Sequence, residues 1–265
     1  VATKPSLWFR YSETAAPPVD TAGNSGSLGS AGDGVYIGNT THPVAGALVG
    51  STDGATELSG GTVSVPYNAA LNPAGAFTVD AWINPAGSGT GCIMQEMING
   101  ENPGLATDRT GWALRQNGTG LRFLVGDLYG APFYYYYTTA DGLITPGVWQ
   151  HVAMVYNDVV PTLYINGVVA PTTVTRQDAI AMTQPEIDAL RIVPNYAAPL
   201  IVGDRGFGGW TFAGSVDEVA IYPSALTSGQ VLAHYQNGTS ATPSPAYDTL
   251  VTGDGAVEYL RLNEA

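Results

Sequence analysis

What most constrains this chain is a recurring pattern. Short runs of alternating apolar and polar residues are each closed by a glycine, asparagine or aspartate turn. Residues 77–83 alternate with period two, and so do residues 112–115, which lead through Asn117-Gly118 into residues 121–125. A period of two puts successive side chains on opposite faces of a strand. Asn-Gly tolerates positive φ at both positions and marks a hairpin. Residues 149–156 run through Asn157-Asp158 into residues 162–165, and Asn166-Gly167 turns the chain again into Val168-Val169. Residues 200–202 and 215–222 read as further strands. Helical spacing is scarce. Residues 228–235 suit one short helix, capped by Ser228 and stopped at Asn237-Gly238, and residues 184–190 suit a helical turn inside a long insertion. The pattern predicts an all-β fold, a two-sheet antiparallel jelly-roll sandwich with one short helix.

Composition agrees. Glycine (34) and proline (18) make up about a fifth of the 265 residues, which excludes a coiled coil or helical bundle. Hydrophobic residues at 45% and 15 tyrosines supply enough buried surface to exclude disorder. Acidic residues outnumber basic ones 22 to 9, a net charge of −13, which disfavours nucleic acid as a partner. Cys92 stands alone and has no internal disulfide partner. No stretch reads as a membrane span or a secretory signal, and the chain reads as a piece of a longer protein.

Two segments repeat. Trp8-Phe9-Arg10-Tyr11-Ser12-Glu13 matches Tyr259-Leu260-Arg261-Leu262-Asn263-Glu264 at a constant offset of 251 residues. The expected organisation is a jelly-roll domain over 1–239, a Pro/Ser/Thr linker over 240–254, and the first strand of a following repeat, or a C-terminal strand, over 255–265. The parent protein would then be a tandem array.

Three motifs carry a family likeness. Phe77-Thr78-Val79-Asp80-Ala81-Trp82-Ile83-Asn84-Pro85 resembles the opening strand of the laminin G-like, concanavalin A-like jelly roll of bacterial extracellular multi-domain proteins. Residues 147–153, followed by Leu163-Tyr164-Ile165-Asn166-Gly167, resemble that family's most recognisable hairpin, and residues 212–222 resemble its closing strand. The matches stand in the family's order over roughly residues 6–238. The resemblance implies two curved sheets and a secreted or cell-surface bacterial protein. It also implies a structural Ca²⁺ joining the first strand to the closing strand. Glu13 and Asp217 would be the side-chain ligands, with carbonyls near Asp33-Gly34 completing the oxygen shell. The alternative for these two residues is turn capping and backbone hydrogen bonding.

Catalytic patterns are weak. Sandwich glycosidases need two closely placed carboxylates. Glu186-Ile187-Asp188 has that spacing but lies in a helix start or loop, and adjacent Asp217 and Glu218 would point to opposite faces of a strand. His42, His151 and His234 are scattered, without metal-ligand spacing, and His151 and His234 read as structural. No Gly-x-Ser-x-Gly elbow occurs, and the glycine-rich stretch 203–209 follows a strand without opening a helix. The reading is that the chain is not an enzyme.

Sugar-binding faces expose aromatic rings beside a few polar groups. Four consecutive tyrosines, 134–137, place alternate rings on opposite faces, either one pair in the core or two rings exposed. Trp210, in the glycine-rich stretch Asp204-Arg205-Gly206-Phe207-Gly208-Gly209-Trp210, either docks on a sheet or awaits a ligand. The candidate ligand-binding set is Trp210, Phe207, Arg205, Tyr135, Tyr137 and Arg109, with a polysaccharide or glycan and the neighbouring domains of the same chain as partners. The expected function is a non-catalytic extracellular carbohydrate-binding or adhesion module. The alternative is a structural spacer or protein–protein interaction repeat without glycan binding.

Overall fold

The computed structural model describes residues 21–99, 109–126, 134–176, 180–195, 197–205 and 209–264. The first part of the chain forms β1 (Thr21–Ala22), β2 (Gly34–Ile37), β3 (Thr40–Ala45), β4 (Gly54–Ser59) and β5 (Thr62–Val65). Next come β6 (Phe77–Pro85), β7 (Thr90–Asn99), β8 (Arg109–Asn117), β9 (Gly120–Gly126) and β10 (Tyr134–Thr139). Then follow β11 (Gln150–Tyr156), β12 (Pro161–Ile165), β13 (Val168–Ala170), β14 (Thr172–Arg176) and helix α1 (Gln184–Ala189). The chain ends its described part with β15 (Leu200–Val202), β16 (Ala213–Tyr222), α2 (Ser228–Gly238), α3 (Tyr247–Gly253) and β17 (Glu258–Leu260).

One sheet has nine strands in the order β1-β2-β5-β15-β7-β8-β9-β10-β14. The other has the order β13-β12-β11-β6-β16-β4-β3, with β17 also paired to β16. All strand pairs are antiparallel, as the turn pattern predicts. The main core lies between the sheets. Val63, Ile93, Leu114 and Phe123 come from the nine-stranded sheet, and Phe77, Val79, Ala81, Val152 and Met154 from the other. These are the alternate residues that period two selects, each removed from water at roughly 25 cal/mol per Å² of apolar surface.

Strand β16 changes partner halfway. Residues 213–216 pair with β4 on one edge, whereas Val219, Ala220 and Ile221 pair on that same edge with Leu260, Tyr259 and Glu258. The switch falls at a bulge between Asp217 and Ala220, where Glu218 adopts φ 52°. A bulge inserts an unpaired residue and turns the strand.

The second sheet's outer face carries Trp82, Ala153, Ala220 and Tyr222, which pack against Val231 of α2 and Tyr247 and Val251 of α3. Helix α2 is capped one residue before the expected Ser228. Thr227 and Gln230 form a reciprocal capping box, which Ser228 cannot match because it lies inside the helix. The helix also runs through Asn237-Gly238, because Gly238 packs on Trp82: a Cβ there would lie 2.4 Å from the indole ring. The stretch 240–254, expected to be a linker, contains α3, whose Tyr247 Oη accepts a 3.0 Å hydrogen bond from Trp82 Nε1. No described helix is long and apolar enough to cross a membrane.

Candidate functional site

Alternation fixes the outer face of the nine-stranded sheet. Leu114 and Phe123 point into the core, so Ala113, Arg115, Arg122 and Leu124 point outward. Arg115 and Arg122 face each other across the β8–β9 hairpin, a position in which like charges repel. Each guanidinium is matched to a ring. Arg115 Cζ lies 3.6 Å from the centroid of Trp210, and Arg122 Cζ lies 4.5 Å from that of Tyr136. Arg205 Cζ stands 4.5 Å from the Trp210 centroid as well. Cations are held at aromatic faces by the ring quadrupole. Backbone contacts hold Trp210 in place: Cys92 N–H donates to its carbonyl at 2.7 Å, and Thr211 bridges Cys92 in parallel. The next residue, Phe212, is buried in the core. A small cleft of about 140 Å³, lined by Gly91, Gln116, Thr211 and Ala213 among others, lies beside this segment. Trp210, Arg205, Arg122 and Tyr136 are half-buried and Arg115 is buried.

The sequence-predicted residues distribute as follows. Trp210 and Arg205 come together on this face. Tyr137 does not: it is 1% exposed in the core, so its place in the ligand-binding set is corrected to a packing role. Its strand position aligns it with Phe123, an inward residue, and among the described rings of the tyrosine run Tyr136 is the one on the outer face. Tyr135 is half-buried and lines a separate cleft of about 390 Å³ with Arg176, Glu186 and Arg191. Arg109 opens β8, and Phe207 lies outside the described residues. Arg115, Arg122 and Tyr136 were not singled out from sequence. The hairpin turn at Asn117-Gly118 carries the missing signal, since it sets 115 opposite 122.

Glu186 accepts hydrogen bonds from Thr183 N–H and Oγ1, both at 2.7 Å, and so caps α1. Asp188, two residues on, does not share its face of the helix.

Of the two expected calcium ligands, Glu13 lies outside the described residues. Asp217 is fully buried. One carboxylate oxygen accepts Ala47 N–H at 2.8 Å, and the other has no partner among the described residues. Burial first, then the nearby Asp53 charge, pushes its carboxyl up to about 8. Glu218 is also raised, by burial and then by Asp217. The two act on each other because the bulge breaks the alternation that would have placed them on opposite faces. Glu218 contacts Tyr259 Oη, and Arg261 reaches Asp53 while its Nε lies 3.8 Å from Glu218. One carboxylate oxygen each of Asp217 and Glu218 has no hydrogen-bond partner among the described residues.

Among the described residues, Asp80, His151 and His234 bring ligand atoms within 4.8 Å of one another, all buried, so two histidines scattered in sequence converge in space. Their geometry is that of hydrogen bonding. His234 Nδ1 lies 2.7 Å from Asp80 and Nε2 lies 3.0 Å from Asp254. Two carboxylate acceptors call for a donor at each nitrogen, which is imidazolium. Burial lowers the His234 pKa, but Asp80 and then Asp254 outweigh it, and the net shift is upward.

Residues 53–232 match a laminin G family model described as the concanavalin A-like lectin/glucanases superfamily. No curated protein matches the chain. Solved structures of similar fold include the receptor binding domain of botulinum neurotoxin C/D mosaic serotype, with TM-score 0.53 and 15% identity over 82% of this chain and 51% of that one. The botulinum neurotoxin serotype G binding domain has TM-score 0.51 and 11% identity, covering 80% and 47%. The binding domain of Paraclostridial Mosquitocidal Protein 1 has TM-score 0.50 and 19% identity, covering 82% and 52%. The chain spans about half the length of these three, and at such identities the likeness is one of fold. The matched stretch takes in the long central strands of both sheets and well over half of the sequence, and on that ground the chain belongs to the concanavalin A-like lectin/glucanases superfamily.

Proposed function

We propose that the chain is a non-catalytic, extracellular carbohydrate-binding or adhesion module whose ligand docks on the outer face of the nine-stranded sheet. The observation that carries this reading is Trp210, a half-buried ring backed by the buried Arg115 guanidinium at 3.6 Å. A ring fixed from behind meets a sugar without losing freedom of its own, which is the advantage of preorganisation. Arg205 and Arg122 add planar donors suited to sugar hydroxyls and, through paired N–H groups, to sugar carboxylates. Similarity to toxin binding domains supports a binding role. The residues at Asp217 and Glu218 support a structural Ca²⁺, which would neutralise buried carboxylates and tie β16 to its neighbours.

Affinity electrophoresis on neutral and uronate-rich polysaccharides tests the site. At least one gel should retard the protein, and Trp210→Ala should lose that retardation with an unchanged melting midpoint. Equal retardation of protein and variant would remove this face from the account, and no retardation on any gel would favour the spacer reading.

A further inference from the structure

Strand β17 lies in a groove with two walls. On one side is the second half of β16, where Val257 N–H donates to Ile221 O at 2.9 Å. On the other is the stretch after β1. Ser25 N–H donates to Tyr259 O at 2.9 Å, Leu28 N–H donates to Val257 O at 3.0 Å, and Tyr259 N–H donates to Asn24 Oδ1 at 2.8 Å. Leu260 and Leu262 enter the main core, and Tyr259 packs on the outer cluster under α3. Arg261 reaches Asp53. Glu264 accepts Gly23 N–H at 2.8 Å and Tyr36 Oη at 2.6 Å.

Segment 6–13, outside the described residues, carries the same chemistry at each of these places. Trp8 stands for Tyr259, Phe9 for Leu260, Arg10 for Arg261, Tyr11 for Leu262 and Glu13 for Glu264. It also differs where the present strand fits worst. Glu258 is fully buried, and both its carboxylate oxygens lack a partner among the described residues. Its counterpart is Leu7, which carries no charge to desolvate. Placed in the same register, Glu13 would sit at Gly23, and residues 14–20 are an ordinary loop length for the return to Thr21.

We propose that the groove beside the second half of β16 is an exchangeable strand-docking site, in which the chain's own segment 6–13 takes the place now held by residues 257–264. The groove holds one segment at a time, and two segments of the sequence match it. Occupation by one leaves the other free, and the free strand is chemically matched to the same groove in a second copy.

Hydrogen exchange read by mass spectrometry on the full chain tests this. Leu260→Asp puts a charge into the core and disables the present strand. The variant should remain folded, lose protection over 258–262 and gain it over 7–12. The double variant Phe9→Asp with Leu260→Asp should then lose both segments and melt well below the single one. Glu258→Leu removes the misfit and should deepen protection over 258–262 at the expense of 7–12. Unprotected amides over 7–12 in Leu260→Asp would overturn the proposal, as would failure of that variant to fold or equal melting of the single and double variants.

Discussion

Glu258 and Glu96 are carboxylates that the fold has taken out of water without giving them donors among the described residues. Burial, and then the Asp33 charge, pushes Glu258 up to about 8, and burial, then Glu258, pushes Glu96 up to about 9. The sign of the consequence follows from linkage. The unfolded chain releases these protons in the ordinary carboxylate range, whereas the folded chain holds them until pH 8 or above, so stability falls as pH rises between those points. Glu258→Gln is therefore expected to raise the melting midpoint at pH 8 and to leave it nearly unchanged at pH 4, by circular dichroism at both. An identical midpoint at pH 8 would mean that the carboxylate reaches solvent. Neither burial is readable from sequence, because Glu258 sits in a segment whose other residues, Tyr259-Leu260-Arg261-Leu262, look like any half-exposed strand.

At the scale of elements, α2 is clamped to the sheet by one imidazolium between two carboxylates. Asp80 is lowered: burial would raise it, but the hydrogen bonds of His151 and His234 outweigh that. His234 is raised, so its contribution is full below the ordinary histidine range and fades as pH rises through its folded value. The Asp80 contribution is full above the ordinary aspartate range and fades in stronger acid. The clamp is strongest in between, at mildly acid pH. Asp80→Asn removes the fully buried one of the two carboxylates that hold this cation and should cost about 3–5 kcal/mol in urea unfolding. A loss below about 1 kcal/mol, the range of an exposed pair, would mean that the clamp is ornamental. The strands and the helix of this clamp were legible, since period two and helical spacing are local, whereas the cap lay one residue before the expected Ser228. The clamp itself was not, because Asp80 and His234 are 154 residues apart. The turn of β16 at Glu218 was equally hidden, since nothing local marks a glutamate for positive φ.

For the whole molecule, a net charge of −13 with nine cations sets the terms. Arg115, Arg122 and Arg205 gather on one face, and the buried acids Asp217 and Glu218 gather elsewhere. If Ca²⁺ binds that acidic pair, it binds the deprotonated form and competes with the protons that burial retains. Millimolar Ca²⁺ should then raise the midpoint above that in EDTA, by about 2.7 kcal/mol of stability at a hundredfold excess over Kd. The rise should be larger at pH 8 than at pH 5. Scanning fluorimetry checks this, and coincident curves at both pH values would remove the ion. The sandwich was legible because its turns are local in sequence. The Trp210 platform was legible only in part, because its Arg115 support needs the register of a hairpin as well as its existence.

The lone Cys92 has one more consequence. It is buried beside the Trp210 segment, to which its backbone is bonded, and burial pushes its thiol up to about 12. A thiolate is the reactive form, so a maleimide or disulfide reagent can label it only when that segment lifts. The molecule thus carries a built-in chemical clock: the pace of labelling reads how often the platform opens, and a ligand that clasps Trp210 should slow it, with no engineered probe required.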